Sequence, residues 1–447
     1  NGAQTTSTEI SGRHVTIDNT GAGMAIGAGT AVTGSGGTQG ASIANGGSID
    51  AITGGITRGS GQANNTINGI HLDGRNITAI GNANIFGVVF PNAGGGSGYG
   101  VQTSAMISAA NFSIQGEGVN TGAWNAGGGA VRINNGSSII GTATTGANLI
   151  KGTWESAYGN NFAVVLGSAA NGNITISSAA GSTLNIQGRH DGNQTNINGQ
   201  YTAPGVLTQG TVNTNGTVNI TGHAESHDGI SMGGTFNHAG GTLTLNGTSE
   251  TDRPVESSAA GVRIHGSLNV TDSSALTISG TYTAKGNPNS NGSQAIGFIN
   301  TGAITGQGGQ LNITGASSLR NTQTFDATNP ARSIGILVDG ALTGWGHTTL
   351  SASNDARSVA PALQVMRNIN VGNNRLVLQA TNGGQVFQGA SSTLSAGRVS
   401  IDNTNGTVDL NTGLITLGAA TPTTGSTSRA LDLNGAVTTS GNINLAA

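Results

Sequence analysis

The chain has 447 residues, with 78 glycines, no cysteine, 8% charged residues and a net charge of -3. The absence of cysteine excludes disulfide bonds and thiolate chemistry. So small a net charge, without a run of like charges, leaves no electrostatic footprint for nucleic acid or an anionic membrane. Low charge combined with regularly spaced Thr, Ile and Val favours many short strands over disorder.

One sequence template recurs along the chain, with Gly-apolar-x-apolar-x-Gly first and apolar-x-apolar-x-Gly after it. The clearest copy is Gly-Val-Leu-Thr-Gln-Gly at 205–210, followed by Thr-Val-Asn-Ile-Thr-Gly at 217–222. The template returns at 229–247 and again at 261–280. A unit that cannot bury its own apolar side must stack on copies of itself, which predicts a solenoid.

Each unit contains about three short strands with period-2 alternation, joined by Gly and Asn corners. This pattern predicts an all-β fold: a right-handed parallel β-helix of about 14 coils, since parallel crossovers are nearly always right-handed. A sandwich or propeller would need hairpin turns between the strands. The predicted coils start near Gly23, Gly69, Gly100, Ala130, Ala163, Gly205, Gly229, Gly261, Gly297, Gly335, Ala362, Gly384, Gly406 and Ala430.

We expect one continuous β-helix over 1–447. Its coils are less regular over 1–204, carry long insertions over 205–361, and are compact over 362–447. The chain is read as a mature chain or an excised segment, because its ends lie inside the repeat pattern.

Most extra residues fall after the third strand of a unit, which predicts loops projecting from one side of the solenoid. These insertions are predicted at 151–161, 187–204, 248–260, 281–294 and 316–333. These insertions can be interpreted either as a recognition surface or simply as loops in which charged residues are tolerated. Candidate binding residues in them are Trp154, Tyr158, Arg189, His190, Tyr201, Arg253, Tyr282, Arg320 and Phe325.

A parallel β-helix can carry an active site built from clustered carboxylates. No Asp-Asp or Asp-x-Asp pair occurs on a predicted strand. Asp402, Asp409 and Asp432 are predicted either to form an acidic strip or to be solvated positions on consecutive coils. We therefore predict that the protein is not an enzyme.

His223, Glu225 and His227 form a His-x-Glu-x-His segment. On a strand, the three side chains would share one face and offer ligands to a metal such as zinc. The alternative is a surface loop without metal, and we predict no cofactor. His238 and His265 are predicted to be turn or outward residues.

Several strands closely resemble those of one family of exported proteins. They are Val-Thr-Ile-Asp-Asn-Thr-Gly at 15–21, Val-Ser-Ile-Asp-Asn-Thr-Asn-Gly at 399–406 and Gly-Asn-Ile-Asn-Leu at 441–445. The pattern resembles filamentous haemagglutinin-type exoproteins of two-partner (type V) secretion, and autotransporter passenger domains share it. The resemblance implies a right-handed β-helix exported through an outer-membrane translocator and displayed as a long rod for adhesion, aggregation or biofilm formation.

The expected function is therefore that of an adhesin or structural rod, surface-displayed or extracellular, of a Gram-negative bacterium. The expected partners are a receptor or glycan on a host or neighbouring cell, further copies of the chain joined end to end into filaments, and the translocator during export. The alternatives are a polysaccharide-active β-helix enzyme and a carbohydrate-binding module. The latter would use exposed aromatic residues, for which Trp124, Trp154 and Trp345 are the candidates.

Overall fold

The chain folds as a parallel β-helix, seen here in a computed structural model. Of the residues outside the following ranges, only the backbone of certain strands is described. The residues described with their side chains are 82–88, 98–119, 128–155, 161–168, 172–192, 204–225, 227–250, 259–284, 295–319, 332–381, 384–389 and 392–402.

All the regular structure among the described residues is β-strand. No helix in this part of the chain is long and apolar enough to cross a membrane. The strands pair in parallel and wind through three faces in a repeating order. Through most of the chain, a strand of the second face comes first in each turn, then one of the third face, and then one of the first face.

The chain divides into two compact units. The first unit comprises Asn1–Glu225 with Gly233–Asn237, and the second comprises Ser226–Met232 with His238–Ala447.

In the first unit, the strands of each face pair with the strand of the same face one turn later. Its first face contains His14–Asn19, Ser48–Thr57, Ala83–Phe90, Phe112–Asn120, Ala147–Ser156, Thr183–Asp191 and Thr217–Ala224. Its second face contains Gln4–Thr5, Met24–Ile26, Ile70–Leu72, Gly98–Thr103, Gly128–Ile133, Asn161–Leu166 and Val206–Thr208. Its third face contains Ile10–Ser11, Val32–Gly34, Ala41–Ile43, Asn76–Ala79, Met106–Ala109, Ser138–Gly141, Asn173–Ser178, Thr211–Asn215 and the start of Thr235–Ala239.

The second unit repeats this arrangement. Its first face contains Thr242–Thr251, Ala275–Ala284, Leu311–Ser318, Thr348–Ser353, Arg375–Thr381, Arg398–Leu410 and Leu431–Thr438. Its second face contains Ile230–Met232, Ala260–Ile264, Ala295–Asn300, Ser333–Val338, Leu363–Val365 and Gln385–Gln388. It continues in residues 407–410 and 436–438, which are the later parts of the strands Arg398–Leu410 and Leu431–Thr438. Its third face contains Ser267–Thr271, Ile304–Thr305, Leu342–Thr343, Ile369–Asn370, Thr393–Ala396, Leu414–Leu417 and Leu445–Ala446.

The core of each unit consists of apolar side chains that alternate inward along the strands. In Thr183–Asp191, Leu184 and Ile186 are fully buried, whereas Gln187 between the inward positions is exposed. Each such aliphatic side chain contributes roughly 1.5–3 kcal/mol when buried. Because the neighbouring turns pair in register, the inward residues form apolar columns, as Leu184 with Val218 and Ile186 with Ile220 do.

The predicted coil starts from Gly23 to Gly205 and from Gly229 to Ala362 are confirmed as equivalent positions of the second face. The residue after each of these starts pairs with the residue after the next one, as Val101 does with Val131 and Val131 with Val164. In the second unit Val262 pairs with Phe298 and Phe298 with Ile336. The predicted start at Ala430 is wrong, because Leu431 pairs with Val399 on the first face. The number of coils, the right-handed winding of the β-helix and the division into segments 1–204, 205–361 and 362–447 stay predictions.

The insertions at 187–204, 248–260 and 281–294 were predicted to begin after the first-face strands, and these starting points are wrong, because the strands continue into them. In Thr183–Asp191 the strand continues through Gly188 for three more residues. A Cβ atom at Gly188 would lie 2.0 Å from the carbonyl oxygen of Gly205, and one at Gly152 would lie 2.0 Å from that of Ala163. Glycine is required here because the backbone of the second face passes directly against it.

Candidate functional site

The first residues of the predicted insertions belong to first-face strands. Trp154 lies in Ala147–Ser156, His190 in Thr183–Asp191 and Tyr282 in Ala275–Ala284. Each follows its motif glycine by two positions, which by the period of two returns its side chain to the interior.

Trp154, His190 and Tyr282 are therefore not exposed binding residues, and these three predictions are wrong. Their exposed fractions are 0%, 0% and 2%. Trp154 packs with Ala130 and Ala163, and its ring covers Gly118, where a Cβ would lie 2.0 Å from the indole. Tyr282 packs among alanines and Leu319, and burial raises the pKa of its phenol above the ordinary value.

The aromatic platform of a carbohydrate-binding module finds no support in the described tryptophans. Trp345 is 1% exposed, and its indole N–H donates to the carbonyl of Ile304. Together with the burial of Trp154, this removes two of the three candidates. Trp124 lies outside the described residues.

Five further predicted binding residues lie outside the described residues. They are Tyr158, Tyr201, Arg253, Arg320 and Phe325. Arg189 is described, and with 59% of its side chain exposed it keeps an outward position. The predicted binding role of Arg189 stays a prediction.

The acidic strip proposed for Asp402, Asp409 and Asp432 does not form across the paired backbones. Asp432 pairs with Ser400, and Asp402 pairs with Asn434. Asp409 pairs with Phe387 on one side and Thr438 on the other. Adjacent strands therefore place no two of these carboxylates opposite each other.

Polar residues with ligand atoms do converge on the outer side of the first face in the first unit. Strand register places Arg189 beside His223, and it places Glu155 beside Asp191. Glu225 follows the end of the next strand, Thr217–Ala224, and continues the line of Glu155 and Asp191. Neighbouring parallel strands lie about 4.8 Å apart, so residues in one such line are close neighbours.

The ligand atoms of Asp191, His223 and Glu225 all lie within 4.8 Å of one another. The Nε2 atom of His223 is 3.6 Å from Oδ1 of Asp191, while Nε of Arg189 donates to Oδ2 of Asp191 at 2.5 Å. Glu225 is positioned by two backbone hydrogen bonds. Its Oε2 accepts from the N–H of Gly192 at 3.0 Å, and its own N–H donates to the carbonyl of His190 at 3.2 Å.

The structure brings together two of the three predicted metal ligands, His223 and Glu225, and adds Asp191 from the preceding turn. His227 belongs to the second unit, beside the ion pair of Asp228 and Arg263 at 2.8 Å. Burial lowers the pKa of His227 to about 4, although Asp228 opposes this effect and Arg263 adds to it. The His-x-Glu-x-His spacing could not predict Asp191, because this residue lies in the preceding turn and reaches His223 and Glu225 only through the pairing of successive turns.

Comparison with known proteins identifies no family for this chain: family models, curated proteins and solved structures all give no match.

Proposed function

We propose that this chain is a β-helical adhesin or structural rod, displayed on the surface of a Gram-negative bacterium or released outside it. The observation that supports the proposal best is the parallel β-helix itself, whose inward columns are apolar and whose outward positions are mainly Thr, Asn and Ser. Such a scaffold presents repeated polar surface without requiring a catalytic cleft.

The position of the stretches between strands adds support. Up to Ala396, the chain between a first-face strand and the next second-face strand varies in length, whereas the other two connections stay short. Variable connections at one position of the repeat are a common route to a binding surface on a solenoid. The proposed contacts are to a receptor or glycan on a host or neighbouring cell, and to further copies of the chain. Export would use an outer-membrane translocator.

The proposal is tested by coating polystyrene beads with the purified chain. The measurements are bead attachment to cultured epithelial cells and bead–bead clumping. We expect attachment, clumping or both, relative to beads coated with the same chain after heat unfolding. Circular dichroism of the soluble samples confirms which preparation is folded.

The proposal would be contradicted if beads coated with the folded chain neither attached to the cells nor clumped. Incubation with a panel of plant and bacterial polysaccharides tests the enzymatic alternative. Release of reducing sugar by the wild-type chain would favour a polysaccharide-active enzyme instead.

A further inference from the structure

We propose that Asp191, His223 and Glu225 bind a divalent transition-metal ion, represented by Zn²⁺, and that this ion ties two successive turns of the first unit together. This inference is independent of the adhesive role. The three residues combine one imidazole with two carboxylates, a donor set that suits zinc and related ions. Magnesium and calcium prefer sites made only of oxygen ligands.

The first argument is geometric. Two ligands that each lie about 2.1 Å from a tetrahedral zinc ion are about 3.4 Å apart. The 3.6 Å between Nε2 of His223 and Oδ1 of Asp191 is close to this separation, and it is longer than a hydrogen bond. An ion between the two atoms therefore needs only a small adjustment of the side chains.

The second argument concerns Oδ1 of Asp191. This oxygen is buried from solvent and accepts no hydrogen bond within the described part of the chain. A buried carboxylate oxygen without a hydrogen bond is costly, and a bound cation would compensate the lost hydration. Arg189 occupies the other oxygen, Oδ2, so the arginine and the ion do not compete for the same atom.

The third argument is the local charge. Glu155, Asp191 and Glu225 continue one line over three successive turns. Like charges on directly opposite positions of neighbouring strands destabilise a sheet. Arg189 offsets the charge of Asp191 in part, and a divalent cation would further reduce the repulsion along this line.

The backbone holds the ligands in place before any ion arrives. Gly192 fixes Oε2 of Glu225, and the strand ladder fixes the Cα positions of Arg189 and His223 opposite each other. Three protein ligands leave one position of a tetrahedral ion open, and Asp191 and His223 are 30% and 20% exposed, so water or a partner group can reach it.

The test measures Zn²⁺ binding to the full chain by isothermal titration calorimetry and follows thermal unfolding with and without ZnCl₂. We expect saturable binding and a higher unfolding temperature in Zn²⁺, since an ion that binds only the folded state stabilises it. His223→Gln and Asp191→Asn should each weaken binding at least tenfold and abolish the shift. His347→Gln, at an exposed histidine outside the cluster, should retain both.

The proposal is overturned if the wild-type chain shows no Zn²⁺-dependent shift, or if His223→Gln binds as tightly as wild type. An equal shift with CaCl₂ would overturn the assignment to a transition metal. Should a variant misfold, carbethoxylation of the wild-type chain by diethyl pyrocarbonate gives the answer. Zn²⁺ should slow the modification of His223 and leave that of His347 unchanged, and unprotected His223 would refute the site.

Discussion

At the scale of single residues, the glycines inside the first-face strands show how closely the turns are packed. Gly116, Gly152 and Gly188 occupy equivalent positions in successive strands. At each of them, a Cβ would meet a carbonyl oxygen of the second face at 2.0 Å. The glycine is therefore selected by close backbone approach, and the strand keeps its extended course beyond it.

We predict that Gly188→Ala lowers the free energy of unfolding by about 1–3 kcal/mol, the usual cost of overpacking. The reason is that the new methyl group must displace the carbonyl of Gly205. Urea unfolding followed by circular dichroism measures the change. Gln187→Ala, at the exposed neighbouring position, should change the free energy by less than about 0.5 kcal/mol. Equal stability of the two variants would contradict the close approach.

At the scale of the strand, the register with the neighbouring turn decides which residues are buried. The pattern in Ala275–Ala284 alternates over all ten residues, so Tyr282 and Ala284 extend the core beyond Gly280. Outward positions are linked across turns as well. The amide of Asn219 donates to Asn185 at 3.2 Å, and that of Asn237 donates to Asn213 at 2.9 Å.

Tyr282→Ala should therefore act on stability. We expect a loss of about 3–5 kcal/mol, as for other large buried aromatics, because Ala259, Ala295 and Leu319 would line a cavity. Differential scanning calorimetry compares this variant with Thr283→Ala, whose side chain points outward and whose unfolding temperature should stay close to wild type. If Tyr282→Ala unfolded like wild type, its place in the core would be wrong.

At the scale of the whole molecule, few groups titrate, since only 8% of residues are charged. The second unit nevertheless contains two histidines whose pKa values are strongly lowered. Burial lowers the pKa of His227 and that of His238 to about 4. His238 was predicted to be a turn or outward residue, but it is 1% exposed. In the same unit, hydrogen bonds from Arg357 lower the pKa of Asp355 to about 2, despite the opposing effect of burial.

These groups predict loss of stability in acid. A histidine whose pKa falls from 6.5 unfolded to about 4 folded contributes fully above pH 6.5, and this contribution is lost as the pH falls toward 4. The contribution of Asp355 to the free energy of unfolding is lost at lower pH, as the pH falls from about 4 through 2. Urea unfolding at pH 7, 5.5 and 4 measures the dependence.

His238→Gln should flatten the dependence between pH 6.5 and 4, whatever its effect at pH 7. His265→Gln, at a more exposed position, is the matched control and should flatten it less. If His238→Gln kept the pH dependence of the wild-type free energy of unfolding, proton uptake by His238 on unfolding would not be its cause.

The sequence by itself determined the fold class and the phase of the repeat, because alternation with a period of two and a recurring Gly-apolar-x-apolar motif are local properties. For that reason it placed Val218 and Ile220 of the recurring motif, and most of the second-face starts, correctly. Only the tertiary structure decided where the strands end and which residues meet between turns. Trp154, His190 and Tyr282 followed a glycine that resembles a turn, and the carbonyl that makes this glycine necessary belongs to the next turn. Likewise, Asp191 joins His223 and Glu225 because turns separated by more than 30 residues pair in register.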